Sequence, residues 1–206
     1  MNQFNILCIG NSLTAGFPFY SPMNSLGDPR SSYPFHLREL LQQSSLKHAN
    51  QISTINAGIP GDSTDGIGRR LPRLLSSYQP AITILLGGTN DIAMGYRPNS
   101  IIRVLERLWD SIKTQKSHPI SCTLPPTIFQ DLNMNITSLN KLIIKNSSAK
   151  GILNVDLYTP LLLNDILDPD FDSGDGAHLN RTGYQEMGKI IFKNLFPEIE
   201  RLIGND

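Results

Sequence analysis

One serine and one histidine carry the chemistry most readily seen in this chain. Ser12 stands in Gly10-Asn11-Ser12-Leu13-Thr14-Ala15-Gly16, directly after an apolar run. Gly10 permits a sharp turn. Ser12 then begins a turn or helix, with its hydroxyl at a rim and its backbone N–H free. A serine in that place is more often a helix cap than a nucleophile, so it needs a partner. Asp175-Gly176-Ala177-His178 supplies one. Side chains three apart on a loop can meet. The carboxylate then accepts from one imidazole nitrogen and fixes the tautomer, which leaves the other nitrogen facing outward as a base. A base beside a hydroxyl is the arrangement for nucleophilic attack on a carbonyl.

Two further segments could stabilise the charge that such an attack develops. Gly87-Gly88-Thr89-Asn90-Asp91 places a side-chain amide, Asn90, after a strand-like run. Asn-Asp is also an ordinary turn pair. Asn56-Ala57-Gly58-Ile59-Pro60-Gly61-Asp62-Ser63-Thr64 is a glycine-rich loop entering a helix. Loops of this kind offer unpaired N–H groups to an anion. Spacing alone leaves Gly58 and Gly61 both open as the donor, and Asp62 or Ser63 also reads as a plain helix cap. There is no Gly-Lys-[Ser/Thr], so this is not a Walker loop.

These segments must be held by something, and the apolar pattern says what. Phe4–Ile9, Ile52–Ala57, Ala81–Leu86, Ile120–Leu124 and Ile152–Asp156 are short, apolar on both faces, and followed by Gly, Pro, Asn or Asp. Such runs suit buried parallel strands. Between them lie helical patterns at Pro34–Gln43, Thr64–Tyr78, Asn99–Gln115, Leu132–Ser147 and Thr182–Leu195. Pro72 predicts a break or restart within the second. Alternating strand and helix implies an α/β domain, a three-layer doubly wound parallel five-stranded sheet of flavodoxin-like order 2-1-3-4-5. In such sheets ligands sit at the carboxyl ends of the strands, where Ser12, the glycine loop and Asn90 all fall. No repeat or linker interrupts the chain, so residues 1–206 read as one domain. The longest irregular stretch before the C-terminal region, 17–33, reads as a pocket wall or a surface insertion.

Composition excludes several classes. Lys plus Arg equals Asp plus Glu at 18 each, which argues against a general nucleic-acid or anionic-membrane binder. Arg69, Arg70 and Arg73 read as a solvated helix face. Cys8 and Cys122 sit in apolar runs and read as buried thiols, with a disulfide left open. No apolar run approaches the ~18 residues of a membrane span. The N-terminus lacks the pattern of a secretory signal, so the expected compartment is the cytoplasm. The sequons at Asn135, Asn146 and Asn180 then read as chance matches. Asp168 to Ser173 looks like the opening of a calcium loop, but Ser173 stands where its glycine belongs and Leu179 where its glutamate belongs. His36, His48 and His118 have no partner at useful spacing. No metal site is expected.

Taken in order, the four segments resemble those of the SGNH hydrolases, the GDSL esterase and lipase family, over nearly the whole chain. The nucleophile block, commonly Gly-Asp-Ser, is similar to Gly10-Asn11-Ser12, with Asn11 as a departure. The Gly-x-Asn-Asp block matches Gly88 to Asp91, and the Asp-x-x-His block matches Asp175 and His178. The resemblance implies Ser12 as nucleophile, His178 as general base, Asp175 as its orienting carboxylate, Asn90 as oxyanion donor and Gly61 in preference to Gly58 as a second donor. It implies ester hydrolysis through an acyl-enzyme, a small-molecule ester as substrate and no cofactor. An acyltransferase, a thioesterase or a carbohydrate O-acetyl esterase would use the same site. Phe17, Tyr20, Met94, Tyr96 and Phe129 are candidates for an apolar acyl site, and core packing explains each equally well. A flavodoxin-like nucleotide-binding module, with Asn11 to Gly16 as its phosphate loop, is the alternative from another class. A scaffold without activity is a third reading.

Overall fold

A computed structural model describes residues 3–204. Five strands form the central sheet: β1 (Phe4–Gly10), β2 (Ile52–Gly58), β3 (Ile82–Leu86), β4 (His118–Cys122) and β5 (Leu153–Val155). All neighbours pair in parallel. Their spatial order is β2-β1-β3-β4-β5, which is the doubly wound order expected from the sequence. The middle of the sheet carries the most continuous apolar runs. Every residue of β3 is buried, as a strand covered by helices on both faces requires.

The helices are α1 (Ser12–Ala15), α2 (Tyr33–Gln42), α3 (Thr64–Tyr78), α4 (Thr89–Ala93), α5 (Pro98–Thr114), α6 (Gln130–Ala149) and α7 (Arg181–Gly204). α2 packs on α7, while α3 packs on α5 and α5 on α6, so helices cover the sheet from both sides. α5 shows why these segments are helical. Ile101, Ile102, Leu105, Leu108, Trp109 and Ile112 are all buried, a stripe at helical period. Pro98 sits in the first turn, where its missing N–H costs nothing. One hydrophobic cluster runs from β1 through both helix layers.

Three sequence expectations are corrected. α3 passes through Pro72 without a break. Pro72 is exposed, and the carbonyl it leaves without a helical donor belongs to half-exposed Gly68, where solvent can serve. α7 likewise continues past Leu195 and through Pro197. β4 begins at His118 and ends at Cys122, two residues earlier than the apolar run Ile120–Leu124 predicts. Leu124 is buried outside the sheet because the Asn140 amide accepts from its N–H at 2.8 Å and donates to its C=O at 3.0 Å. A side chain thus replaces a strand partner. The two cysteines are free. They lie on β1 and β4 with β3 between them, and burial pushes the Cys8 thiol up to about 12.

The site's segments emerge from tight crossings at the carboxyl ends of β1 and β2. Gly58 ends β2 against α1. A Cβ there would lie 2.6 Å from Ala15 Cα and from the Thr14 carbonyl carbon, and closer still to Ala15 N. These are backbone atoms, which cannot swing aside. Gly58→Ala should therefore cost at least the 1–3 kcal/mol typical of overpacking, read as a lower urea midpoint with an unchanged m-value.

Candidate active site

Ser12 is the first residue of α1, and Asn11 caps it. The Asn11 Oδ1 accepts from Leu13 N–H at 3.0 Å, so the amide does what an aspartate carboxylate would do there. The departure at position 11 thus leaves the local turn intact. Ser12 is 6% exposed, with its hydroxyl turned toward the loop that follows β5.

That loop carries Asp175 and His178. His178 Nε2 lies 2.9 Å from Ser12 Oγ, and His178 Nδ1 lies 2.7 Å from Asp175 Oδ2. The other carboxylate oxygen accepts from Ala177 N–H at 2.9 Å and His178 N–H at 2.8 Å. Burial raises the Asp175 pKa, but those two N–H groups and the ring outweigh it, and the net value is about 2. An ionised carboxylate only accepts, so Nδ1 carries the proton and Nε2 offers a lone pair to the Ser12 hydroxyl. Phe17 packs edge-on against the His178 ring, with centroids 4.8 Å apart. Tyr184 Oη donates to the Phe17 carbonyl at 2.5 Å and holds it there.

The two oxyanion candidates are joined through Asp62, which follows Gly61. Asn90, in the first turn of α4, donates from Nδ2 to the Asp62 carbonyl at 2.8 Å. An amide has two N–H bonds, and the second remains for a ligand. Gly61 has φ +79° and nothing within 4 Å of the place where its Cβ would be. Gly58 is closed in by α1, whereas Gly61 opens to solvent. Neither Ser12 N–H nor Gly61 N–H is taken by another group among the described residues. Ser63, in its turn, caps α3 by accepting from Gly66 N–H at 3.1 Å.

Two residues of this site escape a reading of the sequence. Arg70 is not on a solvated face; its side chain is 16% exposed. Its Nε donates to Asp62 Oδ2 at 2.8 Å, Nη1 to the Ala57 carbonyl at 2.5 Å and Nη2 to the Gly10 carbonyl at 2.8 Å. The guanidinium thus joins the ends of β1 and β2 to the glycine loop. Arg69 and Arg73 are exposed, as expected. A signal existed: Arg70 lies three residues after buried Ile67 and beside buried Leu71, at the edge of the apolar stripe. Asp91 left no such signal. It is buried and accepts from Thr64 N–H at 3.1 and 3.0 Å and from Thr64 Oγ1 at 2.7 Å. A carboxylate from α4 therefore neutralises the N-terminus of α3.

Of the five apolar candidates, Phe17 touches the site directly. Phe129 and Ile128 lie against Gly176, between Asp175 and His178. Met94 and Tyr96 follow Asn90 at the end of α4 and are exposed. His36, His48 and His118 lie outside the cluster. Among the described residues no three His, Cys, Asp or Glu side chains gather to hold a metal ion. No helix among them is long and apolar enough to cross a membrane.

A doubly wound sheet with a serine–imidazole–carboxylate chain on its carboxyl rim defines an α/β hydrolase arrangement. The chain belongs to the GDSL-like Lipase/Acylhydrolase family, whose model matches residues 8–186, and it is an ester hydrolase. It is similar to thioesterase 1/protease 1/lysophospholipase L1 of Escherichia coli K12, with 24% identity over 93% of this chain and 83% of that protein. Its fold is similar to that of a lipolytic protein of the G-D-S-L family from Desulfitobacterium hafniense, with TM-score 0.78 and 19% identity over 93% of this chain and 99% of that one. The lipase/acylhydrolase from Enterococcus faecalis is alike to a similar degree, with TM-score 0.77 and 22% identity over 95% of this chain and 96% of that one. Family membership leaves no place for the nucleotide-binding alternative.

Two expectations follow from this geometry. Arg70→Met leaves the Asp62 carboxylate, 12% exposed, without its cation. Breaking a largely buried pair in this way should cost about 3 kcal/mol, and Arg70→Lys should recover only part because an ammonium cannot reach all three acceptors. Chemical denaturation of both variants checks this. The second concerns pH. The lowered Asp175 pKa stabilises the fold above the ordinary carboxylate value near 4, and that contribution is lost as pH falls through about 2. Asp175 should therefore keep its charge through the acid limb of the kcat/KM profile and add nothing to its slope. A slope of two would mean that the carboxylate is losing its charge as well.

Proposed function

We propose that Ser12 is the nucleophile of a carboxylic-ester hydrolase that works through an acyl-enzyme. The observation that carries this reading is the unbroken hydrogen-bonded series from Asp175 through His178 to Ser12 Oγ. Ser12 attacks the ester carbonyl carbon. His178 Nε2 removes the hydroxyl proton as the bond forms and passes it to the departing alkoxide oxygen. Asp175 keeps the proton on Nδ1 and stabilises the imidazolium that appears between these steps. Water then enters on the same side and gives a proton to Nε2 as its oxygen bonds the acyl carbon; the bond to Ser12 Oγ breaks, Nε2 returns the proton to Oγ, and the acid departs.

The carbonyl oxygen becomes an oxyanion on each pass. Its donors are the Ser12 N–H, the Gly61 N–H and the second Asn90 N–H. The open space at Gly61 and the closed packing at Gly58 support the former as the donor. The Asn90–Asp62 bond holds amide and glycine loop together before substrate arrives, and such preorganisation is the main source of oxyanion stabilisation. The whole chain acts as a single hydrolase domain; the one continuous core supports this.

The test is hydrolysis of p-nitrophenyl acetate by the wild type and four variants. Ser12→Ala and His178→Ala should abolish turnover. Asp175→Asn should lower kcat by about 10⁴ through the wrong tautomer, and Asn90→Ala by about 10²–10³ through one lost donor. Activity that survives Ser12→Ala would refute the assignment.

A further inference from the structure

The segment between α1 and α2, together with Pro60, forms a groove whose lining carries no charge. Phe17, Phe19, Tyr20, Met23, Leu26 and Pro60 wall a volume of about 400 Å³, and no Asp, Glu, Lys, Arg or His contributes to it. Two of its lining residues adjoin the site. Phe17 touches the His178 ring, and Pro60 directly precedes Gly61. Others belong to a small hairpin in which Tyr20–Ser21 pairs with Leu26–Gly27. Its base is tied down. Asp28 N–H donates to the Phe19 carbonyl at 3.0 Å, and the Arg181 guanidinium sits over the Phe19 ring at 5.5 Å. Yet Met23 is 68% exposed and Leu26 64% exposed. Apolar side chains held in place and left uncovered beside a reactive group mark a binding surface.

We propose that this groove receives the acyl chain of the substrate, and that the enzyme prefers unbranched aliphatic acyl groups longer than acetyl. The assignment rests on the catalytic reading given above. A carbonyl oxygen pointed at Gly61 and Asn90 leaves two directions for the remaining substituents. The leaving oxygen must face His178 Nε2 to receive its proton. The acyl carbon takes the other direction, on this reading toward Pro60, which lines the groove. The acyl group also stays bound while the alcohol departs and water enters, so a fixed groove serves it better than it serves the alcohol. The lining has no donor or acceptor array of the kind a sugar ring would need; its polar side chains are Tyr20, Ser21 and Asn24.

The experiment compares kcat/KM for p-nitrophenyl acetate, butyrate, hexanoate and octanoate in the wild type, Met23→Asp and Leu26→Asp. Both positions are exposed, so the variants should fold, and circular dichroism checks that they do. In the wild type kcat/KM should rise about fourfold for each methylene the groove buries, until the groove is full. Each variant should lower the octanoate-to-acetate ratio by about tenfold. A second series, methyl to octyl acetate, varies the alcohol instead, and its ratio should not respond to either variant. A flat or falling wild-type acyl series would overturn the proposal. So would an acyl ratio untouched by both variants, or an alcohol ratio that shifts in place of it. Sedimentation of the same variants covers the remaining occupant: a change in oligomeric state with unchanged acyl selectivity would assign the face to a second copy of the chain. Ser12→Ala, run alongside, separates the two readings. Activity that persists without Ser12 refutes the catalytic assignment, whereas Ser12-dependent activity indifferent to the groove refutes only this one.

Discussion

Arg70 joins the ends of two neighbouring strands to the loop that follows the second. Its guanidinium binds the last carbonyl of β1, a carbonyl near the end of β2 and the Asp62 carboxylate. β1 and β2 do pair along their length, but the chain leaves the sheet at Gly10 and Gly58, and ladder hydrogen bonds stop there. Beyond that point the Ser12 turn and the glycine loop are joined by the Ile59 N–H on the Gly10 carbonyl at 3.1 Å, by the Asn56 amide on the Ala15 carbonyl at 3.1 Å, and by this guanidinium. A planar fork with several fixed donors suits this junction. The Asp62 carbonyl then anchors Asn90, and Asp91 beside it anchors the start of α3. The rim of the sheet is thus one connected polar network, mostly shielded from solvent.

The network explains a division of labour across the rim. On one side, Asn90 is tied to the glycine loop through the Asp62 carbonyl, and Ser12 is set by the capped turn of α1. On the other, Asp175 and His178 sit on a loop that fastens itself, the carboxylate accepting from the two N–H groups that follow it. The ionised state of Asp175 is a product of that local turn as much as of the imidazole. Ser12 Oγ and His178 Nε2 form the single polar contact described between the two halves. Phe17 adds an apolar one, and through it the pocket wall and the imidazole share a support.

The apolar residues around the opening follow from the same architecture. The loops after β1, β3 and β4 all leave the sheet at its carboxyl edge. Each carries exposed large side chains: Phe17, Met23 and Leu26 on the first, Met94 and Tyr96 on the second, Ile128 and Phe129 on the third. These side chains stay exposed because no helix layer extends past the strand ends. A surface of this kind can meet an apolar ligand without disturbing the polar network beneath it.

The sequence by itself determined the sheet. Buried parallel strands need continuous apolar runs, and those runs are visible at Phe4–Ile9 and Ala81–Leu86 without any partner in view. It also determined which segments stand at the rim, because the residues after each strand follow in order. Asp175 and His178 were legible as a pair since a loop of four residues suffices to join them. The proximity of His178 to Ser12 was legible only through the order of four motifs, because a contact across 166 residues has no local pattern. Tertiary structure alone decided the rest. Asp91 reaches Thr64 across 27 residues, and Arg70 reaches Gly10 across 60; a place at the edge of an apolar stripe marks Arg70 as partly covered but does not say which groups it meets. Spacing left Gly58 and Gly61 both open and only the family resemblance favoured Gly61; the structure adds that α1 lies against the missing Cβ of Gly58 and that nothing lies against that of Gly61.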